Sequence, residues 1–187
     1  MDWSTAFAEA LPYAAFLDTY ATPEQRARWD AVHARVRLGD EQRALLGSFR
    51  RSMPTLVLAG AWCGDCVNQC PIFDHFARAS NGAIDVRFLD RDANPAVADA
   101  LAINGGRRVP VVLILSEDFY EVARLGDRTL SAYRRKAAEQ LGSSCPTGLV
   151  PPDDQVLAVV VQEWLDHFER AQLLLRLSAR LREKHGD

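Results

Sequence analysis

The chain has 187 residues, 48% hydrophobic and 25% charged, with 22 Lys and Arg against 25 Asp and Glu. That is the composition of an ordinary globular protein of one domain with room for helical additions, not of a disordered or collagen-like chain. A net charge of −3 argues against a broad basic face for nucleic acid, and apolar runs such as 109–115 and 156–161 are far shorter than the roughly 18 residues of a membrane span. Asp2, Glu9 and Pro12 interrupt what would be a signal peptide, so a cytoplasmic location is expected.

The first fifty residues carry helical periodicity. Phe7 and Leu11 precede a break near Pro12, after which Phe16 and Leu17 resume the pattern. Thr22-Pro23-Glu24-Gln25 has the form of a capping box with proline at the first helical position, which predicts a helix starting at Pro23. Trp29, Val32, His33 and Val36 share its inner face, Gly39 stops it, and Asp40 is expected to cap a second helix presenting Leu45, Leu46 and Phe49.

From Met53 the pattern becomes that of an α/β domain. Thr55 to Ala59 predicts a buried strand, Cys66 to Arg78 a helix, Ile84 to Leu89 a strand, and Asn94-Pro95 the cap of a helix running to about Ile103. Val109 to Leu115 predicts a strand joined through Ser116-Glu117-Asp118 to a partner at Tyr120 to Leu125, with a closing helix over Leu130 to Leu141. Gly142 to Pro152 has the composition of a linker or ordered loop, and Asp153 or Asp154 is placed to cap a long helix. Its apolar face, Leu157, Val160, Val161, Trp164, Leu165 and Phe168, leads into a basic stretch from Arg176 to Lys184. This gives an N-terminal helical extension over 1–53, an α/β domain over 54–142, and a linker with a C-terminal helix over 143–187, packing on the same domain or on a partner.

Three of the four cysteines crowd into Cys63, Cys66 and Cys70. Cys63 and Cys66, two residues apart at a strand-to-helix junction, form a redox motif. With Cys63 at the helix N-terminus and Cys66 one turn inside, the sulfurs can meet in a small-ring disulfide. Unpaired helix N–H groups favour the Cys63 thiolate, so the first cysteine attacks and the second resolves.

Around these residues the chain resembles the thioredoxin family, over roughly Pro54 to Leu141. Trp62-Cys63-Gly64-Asp65-Cys66 is similar to that family's active-site turn, Pro71 to its kinking helix proline, and Asp90-Arg91-Asp92-Ala93-Asn94-Pro95 to a strand-to-helix turn. Arg108-Val109-Pro110 resembles the cis-proline site that faces the redox pair, and Gly126 another family glycine. The resemblance implies a thioredoxin-like fold, with a central mixed β-sheet flanked by helices, and thiol–disulfide exchange. Trp62, Gly64, Asp65, Val109 and Pro110 would then border and position a disulfide-containing protein substrate.

Two departures from the family bear on proton handling. Gly64-Asp65 replaces Gly-Pro, and Val57 stands where thioredoxins carry a buried aspartate. At about 7 Å and an effective dielectric of roughly 40 to 80, Asp65 would disfavour a Cys63 thiolate by about 0.6 to 1.2 kcal/mol, up to about one pKa unit. Helix-terminus stabilisation of about 0.3 to 1 kcal/mol opposes this, with Arg107 and Arg108 placed to add to it. Nothing in the sequence supplies the strong thiolate stabilisation of an oxidant, so a reducing role is expected.

Cys70 continues the stripe of Cys63 and Cys66, either as a small buried packing residue or as a back-up resolving thiol. Zinc would need a fourth ligand, with His75 and Cys145 the candidates, and neither completes a ligand spacing, so no metal is expected. Cys145 is open between a free thiol, a partner for Cys70 and an intermolecular link. His33 and His75 read as helix residues without acidic neighbours, Asp90, Asp92 and Asp99 as a solvated cluster with caps, and Asn104-Gly105-Gly106 as a turn. No cofactor is required for dithiol exchange, and the electron donor would be a thioredoxin-reductase-like enzyme or a low-molecular-weight thiol. The alternative is a thioredoxin-fold binding module or homodimer without redox turnover, using the added helices.

Overall fold

The computed structural model describes residues 1–141 and 155–186. Four strands, β1 (Met53–Ala59), β2 (Ile84–Asp90), β3 (Val111–Leu115) and β4 (Glu121–Gly126), form one sheet in the order β2-β1-β3-β4. β1 runs parallel to β2 and antiparallel to β3, which pairs antiparallel with β4. Among the described residues the helices are α1 (Trp3–Glu9), α2 (Tyr13–Tyr20), α3 (Pro23–His33), α4 (Asp40–Gly47), α5 (Gly64–Ala79), α6 (Pro95–Ala100), α7 (Leu130–Leu141), α8 (Val156–Leu177) and α9 (Ala179–His185). This is an α/β thioredoxin-like architecture, a mixed sheet flanked by helices.

The central strands β1 and β3 are buried at every residue. That is why both read as continuous apolar runs: helices cover both faces, and alternation is not needed. The edge strand β4 instead carries Glu121 and Arg124, paired at 2.8 Å, and charge on an edge discourages pairing with another chain. The other edge, β2, is partly occupied by Leu11, which exchanges two backbone hydrogen bonds with Phe88 (2.9 and 2.7 Å).

Helix α3 begins as the capping box dictates. The Gln25 amide N–H donates to the Thr22 hydroxyl at 3.3 Å, and Gln25 Oε1 accepts from the Thr22 N–H at 2.9 Å. At α4 the cap is Gly39, not Asp40: Gln42 Oε1 accepts the Gly39 N–H at 2.9 Å, and Asp40 becomes the first helical residue. α6 stops at Ala100, short of Ile103, because Ile103 and Gly106 exchange backbone bonds across a tight turn in which Asn104 and Gly105 take positive φ. Asn94 sits at the N-cap position of α6 but turns its amide back to the Asp90 carbonyl at 2.8 Å. β3 begins at Val111, after Pro110, which has no N–H for the ladder.

Two aromatic clusters bind the added helices to the sheet domain. Tyr13, Phe16 and Trp29 gather on Phe88 of β2, with ring centroids 5.5 to 5.9 Å apart. Trp164 and Phe168 of α8 pack on Phe73 and Phe76 of α5, at 4.8 Å for Phe73–Trp164 and 5.4 Å for Phe76–Phe168. The α8 face of Val160, Val161, Trp164, Leu165 and Phe168 is therefore buried within the chain. α8 is not continuous with the basic terminus: it ends at Leu177, and the hydroxyl of Ser178 caps α9 by accepting the Leu181 N–H at 3.4 Å. The expected linker, Cys145 and the capping aspartates Asp153 and Asp154 lie outside the described residues.

Candidate active site

Strand β1 delivers the chain into the turn Gly60-Ala61-Trp62, and Cys63 occupies the N-cap of α5. A Cβ at Gly60 would lie 2.7 Å from Trp62 Cε2, so a side chain there would displace the indole from its place over the turn. The Cys63 thiol lies 3.6 Å from the carbonyl oxygen of Val109, and the Val109–Pro110 bond is cis. Cys66 is fully buried one turn into the helix, Cys70 is equally buried one turn further, and Pro71 follows inside α5. All three cysteines are free thiols. Cys63, Cys66, Trp62, Gly64, Asp65, Val109 and Pro110 thus converge at one end of the sheet. Gly64 has open space where a side chain would begin.

Trp62 is 43% exposed, with the Arg91 guanidinium 4.4 Å from its ring centroid. This cation–π contact fixes the indole as a rim beside Cys63. Arg91 is held in turn by Asp92 at 2.7 Å. Asp90 is buried, not solvated, and its carboxylate accepts the N–H groups of Asp92 (2.9 Å) and Ala93 (3.0 Å), closing the turn after β2.

The charge of Asp65 is answered by Arg128, which the sequence alone did not single out. Arg128 Nε donates to Asp65 Oδ1 at 2.9 Å, and Arg128 Nη2 to Asp65 Oδ2. Arg128 also reaches Asp127 at 3.1 Å. Asp127 further accepts from Arg108 at 3.2 Å and from the Tyr133 hydroxyl. Burial alone would raise the Asp127 carboxyl, but the bonds from Tyr133 and Arg108 and the Arg128 charge outweigh it and hold the group below the ordinary aspartate range. Arg107 is turned away and paired with Asp99 through two bonds of 2.6 and 2.8 Å. The two arginines before Pro110 therefore have different roles, and only Arg108 joins the site network.

The paired sulfurs govern each other's protonation. The hydrogen bond with Cys66 is the largest influence on Cys63 and raises its pKa, burial adds to this, and the backbone N–H groups of Cys66 and Asp65 pull against it. Burial pushes the Cys66 thiol well up, and its bond with Cys63 partly offsets this. Val57, at the position of the missing acid, is fully buried in β1 among other apolar side chains.

Three buried polar residues fix the site from outside the motif. The Trp29 indole N–H donates to the Ala61 carbonyl at 2.9 Å, tying α3 to the turn. Gln69 donates to the carbonyl of Asp127 at 2.8 Å and of Asp65 at 3.2 Å, and accepts from the Trp164 indole at 3.1 Å. The only sequence signal for these was their type: a tryptophan or glutamine on an apolar helical face needs a partner once buried.

His33 and His75 also differ from the reading of solitary helix residues. His33 Nε2 lies 2.7 Å from Asp74 Oδ2, and the imidazoles of His33 and His75 lie 4.2 Å apart at a tilt of 37°. His75 Nε2 lies 3.1 Å from the His33 carbonyl. The acid is on α5 and His33 on α3, so only the packing of the two helices brings them together. Burial, and then His33, lower the His75 pKa.

The fold and this cysteine-bearing turn define a thioredoxin-like protein. Residues 10–137 match a family model described as Thioredoxin, and the chain belongs to that thioredoxin-like family. It is similar to a crystal structure of a protein of unknown function from Pseudomonas aeruginosa, with a TM-score of 0.70 and 19% identity over 91% of this chain and 99% of that one. It is also similar to an HIV epitope-scaffold, with a TM-score of 0.65 and 17% identity over 88% of this chain and 98% of the other. At these identities the likeness is one of fold. No curated protein matches. Among the described residues, no helix is long and apolar enough to cross a membrane.

Proposed function

We propose that the protein is a cytoplasmic thiol–disulfide oxidoreductase that reduces protein disulfides, with Cys63 as nucleophile and Cys66 as resolving thiol. The observation that carries this reading is the position of Cys63, at the N-cap of α5 with its sulfur 3.6 Å from the Val109 carbonyl and Cys66 one turn behind. The Cys63 thiolate attacks a partner disulfide, one partner sulfur leaves as thiolate, and a mixed disulfide remains. Cys66 loses its proton and attacks the Cys63 sulfur. This releases the second partner thiol and leaves Cys63 and Cys66 joined, with the partner reduced by two electrons. Trp62, Gly64 and Asp65 border the approach, and the backbone at Val109 and Pro110 positions the partner chain. The oxidised pair is recycled by a thioredoxin-reductase-like enzyme or a low-molecular-weight thiol.

The reducing direction is supported by the balance at Cys63. Backbone N–H groups of Cys66 and Asp65 favour its thiolate, while the neighbouring sulfur and burial oppose it more strongly. A thiolate without strong stabilisation favours the disulfide form, and hence electron donation. The test is turnover of a disulfide-bonded model protein. Cys63→Ser is expected to abolish it, and Cys66→Ser to accumulate a covalent complex that added thiol releases. Full turnover by Cys63→Ser would refute the assignment.

A further inference from the structure

We infer that the cavity between the end of α3 and helices α5, α7 and α8 binds a small organic dianion, a molecule carrying two carboxylates or a phosphate monoester on an apolar frame. The cavity measures about 410 Å³ and reaches Asp65, two residues after Cys63. That size falls in the range of small-molecule sites, about 300 to 1,000 Å³. The inference goes beyond the redox reading and does not depend on it, because no step at the cysteines enters the argument.

The lining is unbalanced in charge. Arg35, Arg128, Arg135 and Lys136 face the carboxylates of Asp65 and Glu139, a local surplus of two positive charges in a chain whose net charge is −3. Both carboxylates are already matched: Arg128 holds both oxygens of Asp65, and Arg135 Nε lies 2.9 Å from Glu139 Oε1. The side chains of Arg35 and Lys136 enter no ion pair or hydrogen bond among the described residues. Arg35 follows α3 and is exposed, and Lys136 lies in α7 and is half-buried. Two cations that line one cavity repel each other, and an anion with two negative charges converts that repulsion into attraction at both.

The remaining wall asks for more than an inorganic ion. Val32, Leu157 and Val160 are apolar, the first two half-buried and Val160 buried, and a ligand frame that covers them gains from removing apolar surface from water. Gln69 also lines the cavity, but its amide is committed to the carbonyls of Asp65 and Asp127 and to the Trp164 indole. It braces the wall and leaves recognition to the cations. Arg35, Val32, Leu157 and Val160 all lie outside residues 54–142, so the sheet domain by itself lacks this site. The added helices supply it.

The test is calorimetric titration of the reduced full-length chain with phthalate and with phenyl phosphate at constant ionic strength. Inorganic sulfate and neutral dimethyl phthalate are the comparisons. At least one organic dianion is expected to saturate a single site about tenfold more tightly than sulfate, and the tighter of the two identifies the acid group preferred. Arg35→Gln with Lys136→Gln should weaken that binding by about tenfold or more, whereas Arg35→Lys with Lys136→Arg should retain it. Arg35→Gln alone, at an exposed position, carries the comparison if the double variant unfolds. The inference is overturned if neither organic dianion saturates, if sulfate or dimethyl phthalate binds as tightly, or if a folded variant lacking the cations binds like the parent.

Discussion

The indole of Trp164, on α8, donates its N–H to the side-chain oxygen of Gln69, one turn below Cys66 on α5. Gln69 passes that constraint on to the carbonyls of Asp65 and Asp127. The added helix therefore supports the first turns of α5, and α3 supports the preceding turn through Trp29 and Ala61.

Trp164→Phe keeps the ring but removes the donor, leaving the buried Gln69 oxygen unsatisfied. A loss of about 1 to 3 kcal/mol is expected, measured by urea unfolding. Gln69→Leu in the same background should not recover that loss, because it also strips the side-chain donor from the carbonyls of Asp65 and Asp127.

Phe168 is fully buried against Phe73 and Phe76. Phe168→Ala should cost about 3 to 5 kcal/mol. Because α8 packs on α5, far-ultraviolet circular dichroism and the rate of Cys66 alkylation are expected to report the loss together, with Cys66 becoming accessible as α8 detaches.

Arg128 neutralises Asp65, two residues after Cys63. In Arg128→Met the carboxylate is unpaired, and the Cys63 pKa should rise by up to about one unit. The rate of iodoacetamide alkylation at neutral pH should fall by up to about tenfold. Asp65→Asn should act in the opposite direction, and the double variant should return towards the parent, which a cycle of the four proteins measures.

Asp127 has a lowered pKa in the folded protein. Such a carboxylate contributes stability that is complete above the ordinary aspartate range and is lost as pH falls through the depressed folded value. Asp127→Asn is expected to be less stable than the parent by about 1.5 to 3 kcal/mol at pH 7. The gap should close on acidification below the ordinary range, as the parent's carboxyl protonates. Denaturation at a series of pH values tests the sign: a gap that widens with acid contradicts it.

His75 has a lowered pKa for a base, so the unfolded chain binds its proton more readily than the folded one. Stability should therefore decline as pH falls through the ordinary histidine value, and His75→Gln should flatten that decline. Thermal melts between neutral and mildly acidic pH measure it.

Local chemistry was legible in the amino-acid order by itself. Thr22-Pro23-Glu24-Gln25 starts α3 because its caps are satisfied within four residues, and the apolar runs of β1 and β3 announce strands covered on both faces. The spacing of Cys63 and Cys66 places both sulfurs within one helical turn, whatever else the chain does. The stop of α6 before Ile103, the burial of Asp90 and the pairing of His33 with Asp74 were not legible, because each depends on groups that only packing brings into reach. The same holds for Arg128 and Asp65, which are 63 positions apart in the chain yet linked by a hydrogen bond of 2.9 Å. A charge acts over a few ångströms in space, so tertiary structure alone decided that the Asp65 carboxylate beside Cys63 is paired.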